Sequence, residues 1–435
     1  MDLKIEDIDK VVLAIADKLS DLSYIENIAE RKENCFKIMD QELNTFDKYS
    51  LSGGISSLCV FFGELSKIYP GRGFDRVAHN YLSIMVDYIK ENPSCGISMF
   101  SGLPGIGLAA MCMSSNGTYQ GFINQLNSLI ISKAKTKIEH IKRVGKVREE
   151  YYDVMYGFSG VVNYCTLFRD SQPMMETLKH IVSYLIGICS PKIVSGISVP
   201  GVIVSNKNSP FRGEDTNLPY INLGLSHGIP GILVSLCKSY KLGIRLPNQK
   251  ETIKMLSDFI KRCGIYSKDI GLRWNSAIYL GRNSFNANNG RDAWCYGNPG
   301  VAYSLLIAGE VLQDKELIDI SIDSMRLSLK EKIGVNSPTF CHGMAGIAYV
   351  SKKFFDHTGV DYFKEEAIKM SKDIIEQYNE NVPFGFKSNE FIDGETRNLD
   401  DAGLLTGTVG TLLTILAINK EKISDWDAAF CLNDL

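Results

Sequence analysis

The sequence lacks the charge excess and the long apolar runs that mark several classes of protein. Its 47 Lys and Arg stand against 50 Asp and Glu, a formal net charge of −3 at pH 7 over 435 residues. Because a nucleic-acid partner requires a basic surface that neutralises phosphates, we expect no nucleic acid to bind. Apolar stretches are far shorter than the roughly 20 residues that span a bilayer. The N-terminus is acidic and has no apolar signal core, so we expect neither a transmembrane segment nor a secretory signal.

Closely spaced cysteine pairs are also lacking. The 11 cysteines are odd in number and lie at long intervals along the chain, whereas a secreted protein of this size would show a paired disulfide framework. Most of them are expected to be buried, small and unreactive. The cysteine pattern therefore favours a reducing compartment, and we predict a cytoplasmic protein.

Glycine, by contrast, is abundant, with 38 copies, and it recurs in a pattern. Gly-x-x-Gly followed by an aliphatic or small residue occurs seven times, the first copy being degenerate, at intervals of roughly 46 to 71 residues. The copies begin at Gly53, Gly102, Gly157, Gly228, Gly297, Gly343 and Gly407. A repeat of this period is typical of an array or a closed ring.

Each copy precedes an apolar segment with helical periodicity, such as 301–308, and a more amphipathic segment follows, such as 314–329. Each unit therefore reads as a helical hairpin with one buried and one half-exposed helix. The pattern predicts an all-α fold, an (α/α) toroid of seven helical hairpins with seven inner and seven outer helices, in a single domain over 1–435. The glycines either shape a site at the entry to each inner helix or only permit close helix packing.

Two stretches depart from the helical period. Residues 192–205 contain alternating aliphatic residues that read as short strands, and residues 263–292 are rich in Gly, Asn, Ser and Tyr and read as a long irregular loop. Both precede a repeat in the two longest intervals. We expect small strand-containing insertions within about 190–222 and 263–292.

The repeat register brings chemically active residues to matched positions. Directly before the motif glycines stand His227 in the fourth unit, Tyr296 after Cys295 in the fifth, and His342 after Cys341 in the sixth. Equivalent positions in a ring of hairpins point to the same end, so these side chains are expected to converge. Two thiolates and one imidazole are typical of zinc, and three protein ligands leave the fourth position open, as in catalytic sites.

Three segments, 226–231, 294–300 and 341–346, resemble the signature motifs of lanthionine synthetase C-like proteins. They read Ser-His-Gly-Ile-Pro-Gly, Trp-Cys-Tyr-Gly-Asn-Pro-Gly and Cys-His-Gly-Met-Ala-Gly. The resemblance runs over essentially the whole chain, and the length, without a dehydratase-like extension, is similar to the stand-alone cyclases of class I lantibiotic biosynthesis, the nisin type. It implies the toroid and one Zn²⁺ per chain, held by Cys295, Cys341 and His342.

The resemblance also assigns catalytic candidates. The family's catalytic histidine matches His227, its acidic partner matches Asp153, and its arginine matches Arg291. Tyr296 is a further candidate, with packing or a hydrogen bond as its alternative role. Two of these residues also have a purely structural interpretation. Asp153 could serve only as a helix cap, and Arg291 could serve only as the ion-pair partner of Asp292 or of another buried carboxylate.

The activity that the resemblance implies is a Michael addition inside a precursor peptide. A peptide Cys thiol, deprotonated at the zinc, adds to dehydroalanine or dehydrobutyrine and closes a thioether (lanthionine) ring. His227 is suited to protonate the α-carbon, Asp153 to orient that imidazole, and Arg291 to stabilise the enolate. The implied partners are the dehydrated lantibiotic precursor, a dehydratase and an ABC exporter, with membrane association only peripheral, through such a complex.

Three rival functions stay open at this point. A family member that adds glutathione to dehydroamino acids needs the same metal site and differs only in the pocket. A non-catalytic peptide scaffold would hold a structural zinc with four protein ligands. An α/α-barrel glycosidase would require paired carboxylates where this chain has Cys and His.

Overall fold

A computed structural model describes residues 5–38, 41–205, 218–267, 271–281, 291–392, 394–420 and 424–435. Its α-helices are α1 (Ile5–Leu19), α2 (Leu22–Ala29), α3 (Ile55–Ile68), α4 (Phe74–Glu91), α5 (Leu103–Met113), α6 (Gln120–Val144), α7 (Glu149–Tyr152), α8 (Phe158–Thr166), α9 (Gln172–Ile188), α10 (Ile229–Lys241), α11 (Gln249–Arg262), α12 (Asn298–Leu312), α13 (Lys315–Glu331), α14 (Met344–Thr358), α15 (Asp361–Ile375) and α16 (Thr408–Asn419). Short 3₁₀ turns occupy Lys32–Asn34 and Trp426–Phe430.

The strands form small antiparallel pairs. They are β1 (Cys35–Ile38), β2 (Gln41–Asn44), β3 (Lys192–Val194), β4 (Ile197–Val199), β5 (Tyr220–Asn222), β6 (Ile265–Ser267), β7 (Gly271–Arg273), β8 (Ala277–Tyr279), β9 (Ser388–Ile392) and β10 (Glu395–Leu399). The pairs are β1 with β2, β3 with β4, β5 with β8, β6 with β7, and β9 with β10.

Each Gly-x-x-Gly copy begins a helix, as the repeat predicts. We call these seven the motif helices: α3, α5, α8, α10, α12, α14 and α16. A glycine is the N-cap of every one of them. In α5, α10 and α12 the motif proline lies in the first helical turn, where its missing N–H costs no hydrogen bond.

Motif helices are buried and the helices that follow them are half exposed. In α12 every residue from Asn298 to Gly309 is buried, so this part of the helix is enclosed on all sides. In α13 the buried positions recur at helical spacing along one face, and Asp314 caps that helix by accepting a hydrogen bond from the Leu317 N–H at 3.2 Å. The expectation of one buried and one half-exposed helix per hairpin is confirmed here.

The chain divides into two compact units, which are described separately. Unit 1 comprises Met1–Cys95, Phe100–Ile123 and Val335–Trp426. Within it α14, α16, α3 and α5 pack side by side in that order, with α15 against α14, α1 against α16, and α4 against α3. Unit 2 comprises Gly96–Met99, Asn124–Gly334 and Asp427–Leu435. Within it α8, α10 and α12 pack side by side, with α9, α11 and α13 against them.

The strands agree with only part of the sequence prediction. β3 and β4 lie where short strands were expected, and Val204 forms an isolated bridge with Tyr220. In the described part of 263–292 the expected strand-containing insertion is present as β6, β7 and β8, and the reading of this stretch as an irregular loop is wrong there. Positions 206–217, 268–270 and 282–290 of the two expected insertions lie outside the described residues. No sequence pattern indicated β1–β2 or β9–β10, and three of these four strands, β2, β9 and β10, are mostly polar.

Gly297, the N-cap of α12, is the motif glycine with the strictest requirement. Its φ is +102°, and a Cβ built on it would lie 1.8 Å from the Arg291 carbonyl oxygen. We expect Gly297→Ala to lower the free energy of unfolding by about 3 kcal/mol or more, because a disfavoured φ and a backbone clash add. Gly243→Ala is the matched control, with φ +87° and no heavy atom within 4 Å. Chemical denaturation of both variants measures the difference; equal losses would contradict the assignment.

Candidate active site and metal centre

Cys295 lies in unit 2, in the loop 291–297 that enters α12. Its neighbour Trp294 is fully buried, and the indole Nε1 donates to the Phe430 carbonyl at 3.0 Å. The carbonyl of Cys295 accepts hydrogen bonds from the N–H and the Oγ of Ser226, both at 3.3 Å. These bonds hold the backbone of the buried Cys295 thiol against the loop of the preceding repeat.

Asp292 anchors the same loop from its other end. Its carboxylate is fully buried and accepts from Arg273 Nη1 at 2.8 Å, Ser328 Oγ at 2.8 Å and the Ile333 N–H at 2.9 Å. Arg273, on β7, is therefore the partner of Asp292. The alternative that Arg291 forms this pair is wrong, because the ion-pair partner of Asp292 among the described residues is Arg273.

We expect Asp292→Ala to destabilise the protein by about 3–5 kcal/mol, because it leaves the Arg273 guanidinium buried without its counter-charge. Arg273 is only 5% exposed, and among the described residues its Nε and Nη2 have no hydrogen-bond partner. Asp319→Ala is the control: Asp319 pairs with Lys315 on the solvent side of α13 at 2.6 Å, a pair worth at most about 1 kcal/mol. Thermal denaturation measures the stability of both variants. Similar losses of stability would show that the buried pair stabilises the protein no more than an exposed pair does.

Cys341 and His342 lie in unit 1, just before α14. The Cys341 N–H donates to the Leu405 carbonyl at 2.8 Å. The largely buried His342 ring places Nε2 at 2.9 Å from both carboxylate oxygens of Glu390, on β9. Sequence reasoning missed Glu390, which is 48 residues away on a hairpin that the sequence did not reveal.

The three predicted metal ligands are grouped together. One donor atom each from Cys295, Cys341 and His342 lies within 4.8 Å of the other two. Two sulfurs and one imidazole nitrogen at this separation fit a single Zn²⁺ in both ligand type and spacing.

His227 and Asp153 form a buried pair in unit 2. His227 Nδ1 is 2.6 Å from Asp153 Oδ2, and because a carboxylate only accepts, Nδ1 is the nitrogen that carries hydrogen. The other oxygen, Oδ1, accepts from the N–H groups of Tyr156 at 2.7 Å and Gly157 at 2.6 Å. Asp153 thus binds two N–H groups of the turn before α8 and the His227 ring at the same time, while the N-cap of α8 itself is Gly157.

The charge state of His227 is set by two opposing effects. Burial lowers the pKa of the imidazole, but the hydrogen bond and the negative charge of Asp153 outweigh it, with smaller contributions from Glu149 and Cys295, so the pKa is raised above its ordinary value. The ring also lies between two tyrosine rings, at 6.1 Å from Tyr156 and 6.3 Å from Tyr296 between centroids, with interplanar angles of 26° and 28°. The imidazole is therefore fixed in orientation and favoured in its protonated form.

Tyr296 is held by a polar network that the sequence did not predict. Asn222, at the end of β5, donates to the Tyr296 hydroxyl at 3.1 Å and to Glu149 Oε1 at 2.6 Å. Burial raises the pKa of the Tyr296 phenol further above its ordinary value, so it stays protonated at neutral pH. Gly224 permits this arrangement, since a Cβ there would lie 2.5 Å from the tyrosine ring.

Arg291 is the predicted site residue with the weakest structural support. Its side chain is exposed, and it makes no hydrogen bond or ion pair within the part of the chain that the structure describes. The structure therefore brings together Cys295, Cys341 and His342 as one group, and His227 with Asp153 and Tyr296 as a second. The role of Arg291 stays a prediction.

Comparisons with known proteins identify the family of this chain and a solved structure with the same fold. A family model described as lanthionine synthetase C-like protein matches residues 45–431. The nisin biosynthesis protein NisC of Lactococcus lactis subsp. lactis is 24% identical over 358 residues, covering 78% of this chain and 82% of that protein. The solved structure of a nisin cyclase matches with a TM-score of 0.77 at 19% identity, covering 98% of this chain and 97% of its own. A cellobiose 2-epimerase from Bacillus thermoamylovorans B4167 has a TM-score of 0.44 at 10% identity, covering 94% of this chain and 98% of its own, too weak a likeness to support an argument.

The motif helices, the sulfur–imidazole group and the match to nisin cyclase define the class: an α/α-toroid protein with a candidate metal centre. The chain belongs to the lanthionine synthetase C-like family, whose model matches well over half of it. The predicted all-α toroid with short strand-containing insertions is thereby confirmed, as is the family resemblance. None of the described helices combines the length and the apolar character needed to cross a bilayer.

Proposed function

We propose that this protein is a zinc-dependent lanthionine synthetase. Its reaction adds peptide Cys thiols to dehydroalanine and dehydrobutyrine residues of a dehydrated lantibiotic precursor and closes thioether rings. The grouping of Cys295, Cys341 and His342 carries the proposal. Family membership and the similarity to a nisin biosynthesis protein support it.

The three ligands account for how a weak nucleophile is activated. A free Cys thiol has a pKa near 8.5, so only a few per cent is thiolate at neutral pH. Zn²⁺ held by these side chains would stabilise the substrate sulfur as its thiolate. Cys295 and Cys341 bring two negative charges to the site, and the substrate occupies the position that three protein ligands leave open.

His227 and Asp153 account for the proton that the reaction requires. The substrate sulfur bonds to the β-carbon, the electrons of the double bond move to the α-carbon and amide oxygen as an enolate, and the α-carbon then takes a proton. A buried imidazole with a raised pKa is suited to deliver that proton. The bond from His227 Nδ1 to Asp153 leaves Nε2 as the nitrogen through which the transfer runs.

Tyr296 and Arg291 have subordinate parts in the proposal. Tyr296 packs beside His227 and holds a hydrogen-bonded hydroxyl near the reaction, where it orients the imidazole or a substrate carbonyl. Arg291, which is exposed, supplies a positive charge to the enolate when the peptide is bound. The precursor peptide, a dehydratase, an ABC exporter and a cytoplasmic, peripherally membrane-associated complex complete the proposal.

The experiment compares thiol counts before and after reaction. Zinc-loaded protein is incubated with a dehydrated precursor peptide of the nisin type, alkylated and analysed by mass spectrometry. Ring closure adds an S–H across a C=C, so we expect no mass change and one alkylation adduct lost per ring. Addition of glutathione, supplied in a parallel reaction, would indicate the glutathione-adding alternative, and unchanged thiols in both reactions would indicate a scaffold.

A further inference from the structure

His342 has a carboxylate neighbour that has no part in the proposed reaction so far. Both oxygens of Glu390 lie 2.9 Å from His342 Nε2, a symmetric contact from a carboxylate whose side chain is 18% exposed. Because the carboxylate accepts, Nε2 carries the hydrogen. In the neutral ring the lone pair is therefore on Nδ1.

We propose that Glu390 is a positioning residue of the metal centre, which fixes the orientation and tautomer of His342 so that Nδ1 binds the ion. The inference rests on the proposed zinc site. It places Glu390 on the ring nitrogen opposite the metal, so Glu390 is not a fourth protein ligand and the position for the substrate thiol stays open. A carboxylate on the distal nitrogen also makes the imidazole a stronger donor.

The hairpin that carries Glu390 is hydrogen-bonded to the loop before Cys341. Ser388 Oγ donates to Glu390 Oε1 at 2.8 Å, and the Asn389 N–H donates to Ser337 Oγ at 3.2 Å. At the base of the hairpin Lys387 pairs with Asp400 at 2.7 Å. A carboxylate on a paired strand is placed more precisely than one on a free loop, as a positioning role requires.

The charge of Glu390 is directed to the histidine and is not neutralised within the hairpin. Its cross-strand partner is Arg397, the usual place for an opposite-charge pair. The Arg397 guanidinium instead donates to the carbonyls of Cys35 at 2.8 Å and Glu33 at 3.0 Å. In the described part of the chain His342 is the one basic side chain within ion-pair distance of Glu390.

The test measures zinc affinity by competition with a chelator for wild type, Glu390→Ala, Glu390→Gln and Glu395→Gln. Glu395 is an exposed carboxylate on the other strand of the same hairpin and serves as the matched control. We expect Glu390→Ala to bind zinc about 10–100-fold more weakly. Glu390→Gln, which keeps an acceptor oxygen but no charge, should lose less, and Glu395→Gln should equal wild type.

The cobalt-substituted proteins distinguish positioning from direct ligation. We expect Co²⁺ in Glu390→Gln to keep the wild-type thiolate charge-transfer and tetrahedral d–d bands, because the ligand set is unchanged. Bands that move to those of a different donor set would show Glu390 to be a ligand and overturn the inference. Wild-type zinc affinity in both Glu390 variants would also overturn it, and would leave the proposed function standing. Wild-type protein that binds no zinc would instead contradict the proposed function itself.

Discussion

Cys341→Ala is expected to lose its zinc and, with it, all detectable ring formation. A four-ligand zinc site has a binding free energy of about 10–16 kcal/mol, so one ligand is worth roughly 2.5–4 kcal/mol, or about 100- to 1000-fold in affinity. Cys295→Ala and His342→Ala should behave alike, since the three donor atoms form one group. Metal analysis after dialysis against a weak chelator, together with the thiol count on a dehydrated precursor, measures both losses.

Cys263→Ala is the matched control for the ligand variants. Like Cys341, Cys263 is half buried, but it lies at the end of α11 and is not among the grouped ligands. It should keep full zinc stoichiometry and wild-type ring formation. Cys341→Ala protein that retains one zinc per chain would contradict the ligand assignment.

His227→Ala is expected to separate metal binding from ring closure. The variant should keep one zinc per chain, because His227 is not a ligand, yet ring closure should slow by about 10²–10⁴-fold, the usual contribution of a positioned general acid or base. Asp153→Asn should slow it less, since the amide can still accept from the N–H groups that enter α8 but no longer stabilises a protonated imidazole. Single-turnover alkylation assays on zinc-loaded proteins give the rates.

His180→Ala controls for the loss of an imidazole elsewhere, because His180 is exposed on α9. It should match wild type in zinc content and in rate. A His227→Ala rate within a few-fold of wild type would assign the proton transfer to another group, and zinc loss in that variant would show that His227 supports the metal centre.

The metal group could be predicted because it depends on the repeat. Cys295 and Cys341 precede the glycines of successive motifs, so knowing that each motif begins a buried helix was enough to place both thiols at equivalent points. His342 followed from its adjacency to Cys341. No pairing of distant strands entered that argument, which is why a separation of 46 positions along the chain did not obscure the match.

The residues that support the site could not be predicted in this way. Glu390 lies on a hairpin with little apolar alternation, and Asn222 ends a strand whose partner, β8, is more than 50 residues further along the chain. Such contacts depend on tertiary pairing and not on local periodicity. The partner of Asp292 could not be predicted from local sequence either. The neighbouring Arg291 is exposed, and the buried partner, Arg273, lies on β7.

X-ray absorption spectroscopy of the zinc-loaded protein tests the central claim most directly, with and without a peptide that contains Cys but no dehydrated residue. We predict two sulfurs near 2.3 Å, one nitrogen near 2.0 Å and one light atom in the free protein, with a third sulfur replacing the light atom when the peptide binds. Four protein donors that do not change on adding the peptide, or fewer than two sulfurs in the free protein, would contradict it.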